Sequence, residues 1–170
     1  VAAGEDAWYI VDSGDPAVQV LDWEGRLLAI YRIQAKARTV TAPMVASARH
    51  QVREANARAA DRNVLTSDGI DVLAEASKEL LPHRDRLPYF DRLLVAEDGN
   101  LWLRQYQAPG DSIPMWSVIE GSGRWLGDVQ VPVGLDVYQI GPDFLLGRSM
   151  DELGVESVRL FAISARQPEH

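Results

Sequence analysis

Histidines and carboxylates are the side chains here that could hold a metal or move a proton, and their spacing argues against most such chemistry. His50, His83 and His170 include no pair four residues apart, the spacing that puts two imidazoles on one helical face, so they read as three separate surface histidines. Asp12, Asp15, Glu97, Asp98, Asp151, Glu152 and Glu156 fall mostly at turns, where short acidic side chains are favoured for backbone reasons, and none follows the spacing of a calcium-binding loop. The stretch EGSGRWLG (Glu120 to Gly127) lacks the glycine spacing of a dinucleotide loop. It also leads into a strand, so the helix N-terminus that would receive a pyrophosphate is missing. Ser122 is not in a nucleophile elbow, and no Ser/His/Asp set is apparent. The absence of cysteine excludes disulfides, thiolate-bound zinc, iron–sulfur clusters and a thiol nucleophile. We therefore expect no catalytic, metal or cofactor-binding residue, no cofactor, and a protein that is not an enzyme.

The aromatic residues point elsewhere. Trp8 and Trp102 each follow an acidic turn at matching places and are expected to pack in the core, whereas Trp23 stands at a turn tip between Asp22 and Glu24, where burial is hard to arrange. Trp23 is the leading candidate for a partner-facing side chain, followed by Tyr106 and the loop after it with Pro109 and Pro114.

The elements that carry these residues repeat. In LVAEDGNLWLRQY (Leu94 to Tyr106) an Asp-Gly turn joins two β-favouring runs, a strong hairpin signal because glycine accepts the positive φ of such turns. Glu5-Asp6 before Trp8 and Pro142-Asp143 before Phe144 repeat the acidic turn that opens an apolar strand. A second phrase, a turn glycine followed by Arg and a bulky pair, occurs at Gly25-Arg26-Leu27-Leu28 and Gly123-Arg124-Trp125-Leu126. Strands are expected at 8–12, 18–22, 27–33, 93–96, 101–106, 116–119, 125–131, 137–140, 144–147 and 158–163. Together they predict a mainly β fold of antiparallel four-stranded meanders of β-propeller type, about two and a half to three blades, with the opening unit lacking a first strand and the closing unit a fourth.

The single domain expected over 1–170 is interrupted at 41–82 by an Ala/Arg/Glu-rich stretch that fits two helices. One follows Thr41, with Pro43 in its first turn and a thin stripe of Val45, Ala48, Val52, Ala55 and Ala59; the other follows Ser67-Asp68, is stopped by Pro82, and should pack on the β part through Ile70, Leu73, Leu80 and Leu81. At 18.8 kDa and 46% hydrophobic residues the chain can bury a core. A net charge of −8 argues against a nucleic-acid partner. No run is long enough to span a membrane, and a first residue of Val fits a processed chain or part of a longer product.

WYIVDSGDPAVQVLDWEGRLLAIYRI, LPYFDRLLVAEDGNLWLRQY and above all IGPDFLLGRSMDELGVESVRLFAI resemble the C-terminal part of bacterial six-bladed β-propeller proteins, a secreted or lipid-anchored group akin to NHL-type propellers. The resemblance covers nearly the whole chain. It implies a periplasmic or extracellular setting, possible membrane association through partners or an anchor, and a helical interruption where 41–82 falls. It also implies a ring closed by an N-terminal strand. With so few blades, sheet edges and apolar faces would be left open unless protein partners complete them. The favoured expectation is a non-enzymatic scaffold or interaction protein, an accessory subunit docked on a larger complex. The alternatives are a lactonase-type propeller hydrolase with a channel metal and a carbohydrate- or peptide-binding propeller.

Overall fold

The computed structural model describes residues 1–61, 85–108 and 110–163. The chain divides into two compact units, one built from residues 1–36, 88–106 and 112–170 and the other from 37–87 and 107–111.

The first unit is mainly β. Its strands are β1 (Ala2–Ala3), β2 (Trp8–Val11), β3 (Ala17–Leu21), β4 (Leu27–Arg32), β5 (Phe90–Val95), β6 (Leu101–Gln105), β7 (Met115–Ile119), β8 (Trp125–Gln130), β9 (Leu135–Ile140), β10 (Phe144–Met150) and β11 (Glu156–Ala162). They form three antiparallel sheets in sequence order: β1-β2-β3-β4, β5-β6-β7-β8 and β9-β10-β11. The opening sheet thus has the first strand that the sequence reading denied it. Ala2 and Ala3 pair with Tyr9 and Trp8, and two alanines carry too little hydrophobic pattern to announce a strand. Among the described residues the last sheet has three strands.

Four tight turns share one hydrogen-bond plan. In Asp22–Arg26, Ala96–Asn100, Glu120–Arg124 and Asp151–Val155 the fourth residue is a glycine whose N–H donates to the first carbonyl, while the first N–H donates to the fifth carbonyl, all at 2.8–3.0 Å. Gly25, Gly99, Gly123 and Gly154 have φ of 83°, 79°, 92° and 81°, the left-handed conformation that completes a three-residue hairpin loop.

Strict alternation along the second sheet sends its side chains to two different layers. Leu93, Leu101, Leu103 and Ile119 pack with Val18, Tyr9, Val11 and Tyr31 of the first sheet. Trp102, Trp116 and Val118 pack with Val137, Ile140 and Leu145 of the third. The second sheet is therefore covered on both faces and each outer sheet on one. Polar contacts also join the layers: the Tyr31 hydroxyl donates to the Gly121 carbonyl at 2.7 Å, and the Glu97 N–H donates to the Ile140 carbonyl at 2.9 Å. The first strands of the sheets are neighbours in turn, β1 beside β5 and β5 beside β9.

In the second unit, α1 (Ala42–Asp61) begins where expected, with the Val45 N–H donating to the Thr41 carbonyl at 3.1 Å. Its stripe is too thin to bury any of its described side chains fully, and Arg58 lies 3.7 Å from Glu54 across one turn. Arg38 donates to both oxygens of Asp111 at 3.0 and 2.9 Å, and the Val40 and Leu87 N–H groups donate to the Asp85 and Arg38 carbonyls. The expected second helix lies outside the described residues.

Candidate functional site

Several hairpin tips bind acidic side chains within their own turns, Asp22, Asp98, Glu120 and Asp151 among them. In the β3–β4 turn, one Asp22 carboxylate oxygen accepts the N–H groups of Glu24 and Arg26 at 3.1 and 2.8 Å, and the other accepts the Arg26 guanidinium at 2.6 Å. The backbone N–H of Arg26, then its side chain and Glu24, hold this carboxyl below its usual range. In the β7–β8 turn, Glu120 accepts the Arg124 guanidinium at 2.9 Å and the Ser122 hydroxyl, and these contacts pull its pKa from 4.5 to about 2. The Ser122 hydroxyl thus clamps its own turn.

The sign of this shift fixes a pH response. A folded-state pKa below the unfolded one means that the ionised Glu120 stabilises the turn fully above about 4.5, and this contribution disappears as the pH falls towards about 2. A carboxyl-carbon NMR titration should give Glu120 a midpoint well below that of ordinary glutamates, and Ser122→Ala should raise it. A Glu120 midpoint near 4.5 in the parent protein would show that the turn network does not form.

Near the first strands of the second and third sheets, the carboxylates are already engaged by arginine. Arg104 donates to Asp91 at 2.6 Å, and Asp136 pairs with Arg92 and, at 3.6 Å, with Arg148, which also holds Glu156 at 2.8 Å. Arg92 above all keeps the Asp136 carboxyl below its usual range. No three His, Asp or Glu side chains among the described residues converge as a metal-ligand set. His50 is exposed on α1, 3.8 Å from Glu54, while His83 and His170 lie outside the described residues.

What the sheets leave uncovered is apolar. On the outward face of the first sheet, Trp8, Leu21 and Leu27 form one cross-strand row, and Ile10, Gln19 and Ile30 form the next. Leu27 is 56% exposed and Ile30 45%. On the outward face of the third sheet, Leu146 pairs with Leu160 and Arg148 with Val158; Leu160 and Val158 are 67% and 76% exposed. Between β4 and β8 lies a cavity of about 380 Å³ lined by Arg32, Ile33, Gln34, Ile119, Gly123 and Trp125.

Trp23 is exposed, as expected, but it is not solitary: its ring meets Trp8 edge-on at 5.1 Å and 75°. This corrects the expectation for Trp8, which does not share the environment of Trp102. Trp8 aligns across its strands with Leu21, whereas Trp102 aligns with Val118 and lies buried edge-on to Trp116 at 6.5 Å. A one-residue offset relative to the sheet puts the two indoles on opposite faces. Tyr106 and Pro114 are half-buried at the two ends of the β6–β7 connection, where the Tyr106 N–H donates to Tyr89 and the Pro114 carbonyl accepts from Val131. Pro109 lies outside the described residues. Trp23 and the Tyr106/Pro114 pair therefore belong to different connections in different sheets.

Sequence reasoning overlooked Trp125 and the exposed aliphatic residues of β4 and β11. The signal was present in LLAIY and VRLFA, strands apolar at successive positions, a pattern typical of sheets covered on both faces. No helix among the described residues is long and apolar enough to cross a membrane. Comparison with protein-family models, curated proteins and solved structures finds no match for this chain.

Proposed function

We propose that this chain is a β-propeller-type scaffold, a non-enzymatic interaction protein whose partner covers the outward faces of its first and last sheets. The observation that carries this reading is the pair of open apolar faces, since contiguous apolar surface of this kind marks protein interaction sites. The succession of β1, β5 and β9 supports blades arranged around an axis, with consecutive meanders as the blades. The resemblance of the repeated phrases to secreted six-bladed propellers supports an extracytoplasmic setting and an accessory role on a larger complex.

The test is to isolate the protein from its native source, identify what accompanies it and repeat the isolation with Trp23→Ala. A partner-facing tryptophan at the centre of an interface is worth about 2 kcal/mol or more, so recovery of the assembly should fall at least about thirtyfold. Unchanged recovery would remove Trp23 from the interface. A protein that carries no other polypeptide and turns over a lactone in a metal-dependent manner would replace this reading with the hydrolase one.

A further inference from the structure

The two open faces match the two sides of a sheet-on-sheet packing that the chain already forms twice. Strand pairing makes the sheets comparable position by position. In the second sheet, Leu101 pairs with Ile119 and Leu103 with Ser117; in the first, Trp8 pairs with Leu21 and Ile10 with Gln19, each set measured from the same five-residue turn. Trp8, Ile10 and Leu21 thus stand where Leu101, Leu103 and Ile119 stand. The latter are 0%, 0% and 2% exposed because another sheet precedes theirs. Measured from the turns that join β5 to β6 and β9 to β10, Leu146, Leu160 and Val158 of the third sheet stand where Trp102, Val118 and Trp116 stand in the second. Those are 6%, 5% and 2% exposed because a sheet follows. Among the described residues no sheet packs on the outward face of the first or of the last, and each presents the residue pattern that such a neighbour would bury.

We propose that the occupant is a second copy of this chain, whose last sheet packs on the first sheet of its partner while the reciprocal pairing forms on the other side. The inference rests on the propeller-type reading above and adds the identity of the partner. One chain carries both complementary faces, so two copies bury all four and leave none open, whereas an unclosed head-to-tail series leaves an apolar end. Two copies supply six sheets, within the four to eight that close a propeller ring. The contact continues the packing already formed between the first and second and between the second and third sheets.

Sedimentation equilibrium of the 170-residue chain tests this directly, with about twice 18.8 kDa as the expected mass. Trp8→Asp and Leu160→Asp place a charge on the first and last sheet at side chains that are already exposed and whose counterparts in the second sheet, Leu101 and Val118, are buried, so folding should be preserved while the pairing is disrupted. Each variant alone should be monomeric, because both pairings in its dimer carry the charge. An equimolar mixture should return to the dimer mass, since one of its two pairings is then native on both sides. A parent monomer, or a dimer indifferent to either substitution, would overturn the proposal; sensitivity to only one of them would mean that like faces pair. Amide exchange separates the two levels of inference. A monomer with β6 and β7 still protected would remove the second copy and leave the scaffold reading standing, whereas unprotected β6 and β7 would sink both.

Discussion

Replacing Trp116 by alanine is expected to destabilise the protein by about 3–5 kcal/mol, the range for removing a large aromatic from a close-packed interior. Trp116 is 2% exposed and packs among Trp102, Val118, Val137 and Leu145, in the layer that joins the second and third sheets. Its loss removes both the transfer free energy of the indole and the edge-on contact with Trp102. With a urea dependence of about 1–3 kcal/mol per molar, the unfolding midpoint should fall by more than about 1 M. Trp125→Ala is the control. That indole is 60% exposed, and its removal should change stability by no more than about 1 kcal/mol. Equal costs for the two variants would refute the assignment of a core to the layer between these sheets.

The second large effect concerns one of the four glycines that serve the same kind of turn, compared with two of the others. Gly25, Gly123 and Gly154 all adopt positive φ, so alanine at any of them incurs about 1–2 kcal/mol of left-handed strain. A Cβ at Gly25 or Gly154 would meet nothing within 4 Å. At Gly123 it would lie 2.5 Å from the ring of Tyr31, which is tied to the Gly121 carbonyl through its hydroxyl and cannot swing aside without losing that bond. Overpacking adds about 1–3 kcal/mol, bringing Gly123→Ala to about 2–5 kcal/mol against 1–2 for the other two. Thermal unfolding of the three variants side by side provides the measurement. Equal losses would mean that Tyr31 does not rest on this turn, and the contact between the first two sheets would need to be redrawn.

Strand and turn positions were legible because their signals are local. An Asp-Gly pair flanked by β-favouring runs, as at Asp98-Gly99, specifies a hairpin whatever else surrounds it, and the glycines of the four hairpin turns adopt the positive φ such loops need. The start of α1 after Thr41 was legible for the same reason. The strand at Ala2–Ala3 was not, because two small residues gain their strand geometry from pairing with Tyr9 and Trp8 and carry no pattern of their own. Trp8 was misplaced because sequence spacing from a turn does not determine which face of a sheet a residue occupies. Cross-strand register does, and a shift of one residue reverses the outcome. Trp23 could be chosen correctly as an exposed aromatic from its place between Asp22 and Glu24, but its edge-on partner Trp8 depends on the folding of two separate turns.

The sequence by itself determined the antiparallel meanders, the hairpin turns, the beginning of the helical arm and the absence of any thiol chemistry, since each follows from backbone preference or residue type within a few positions. Only the tertiary structure decided which faces of the three sheets are covered. Leu101 and Trp8 are both bulky apolar residues in comparable strand positions, yet one is fully buried and the other on an open face. The difference lies in whether a neighbouring sheet is present, and burial is a property of that neighbour as much as of the residue itself.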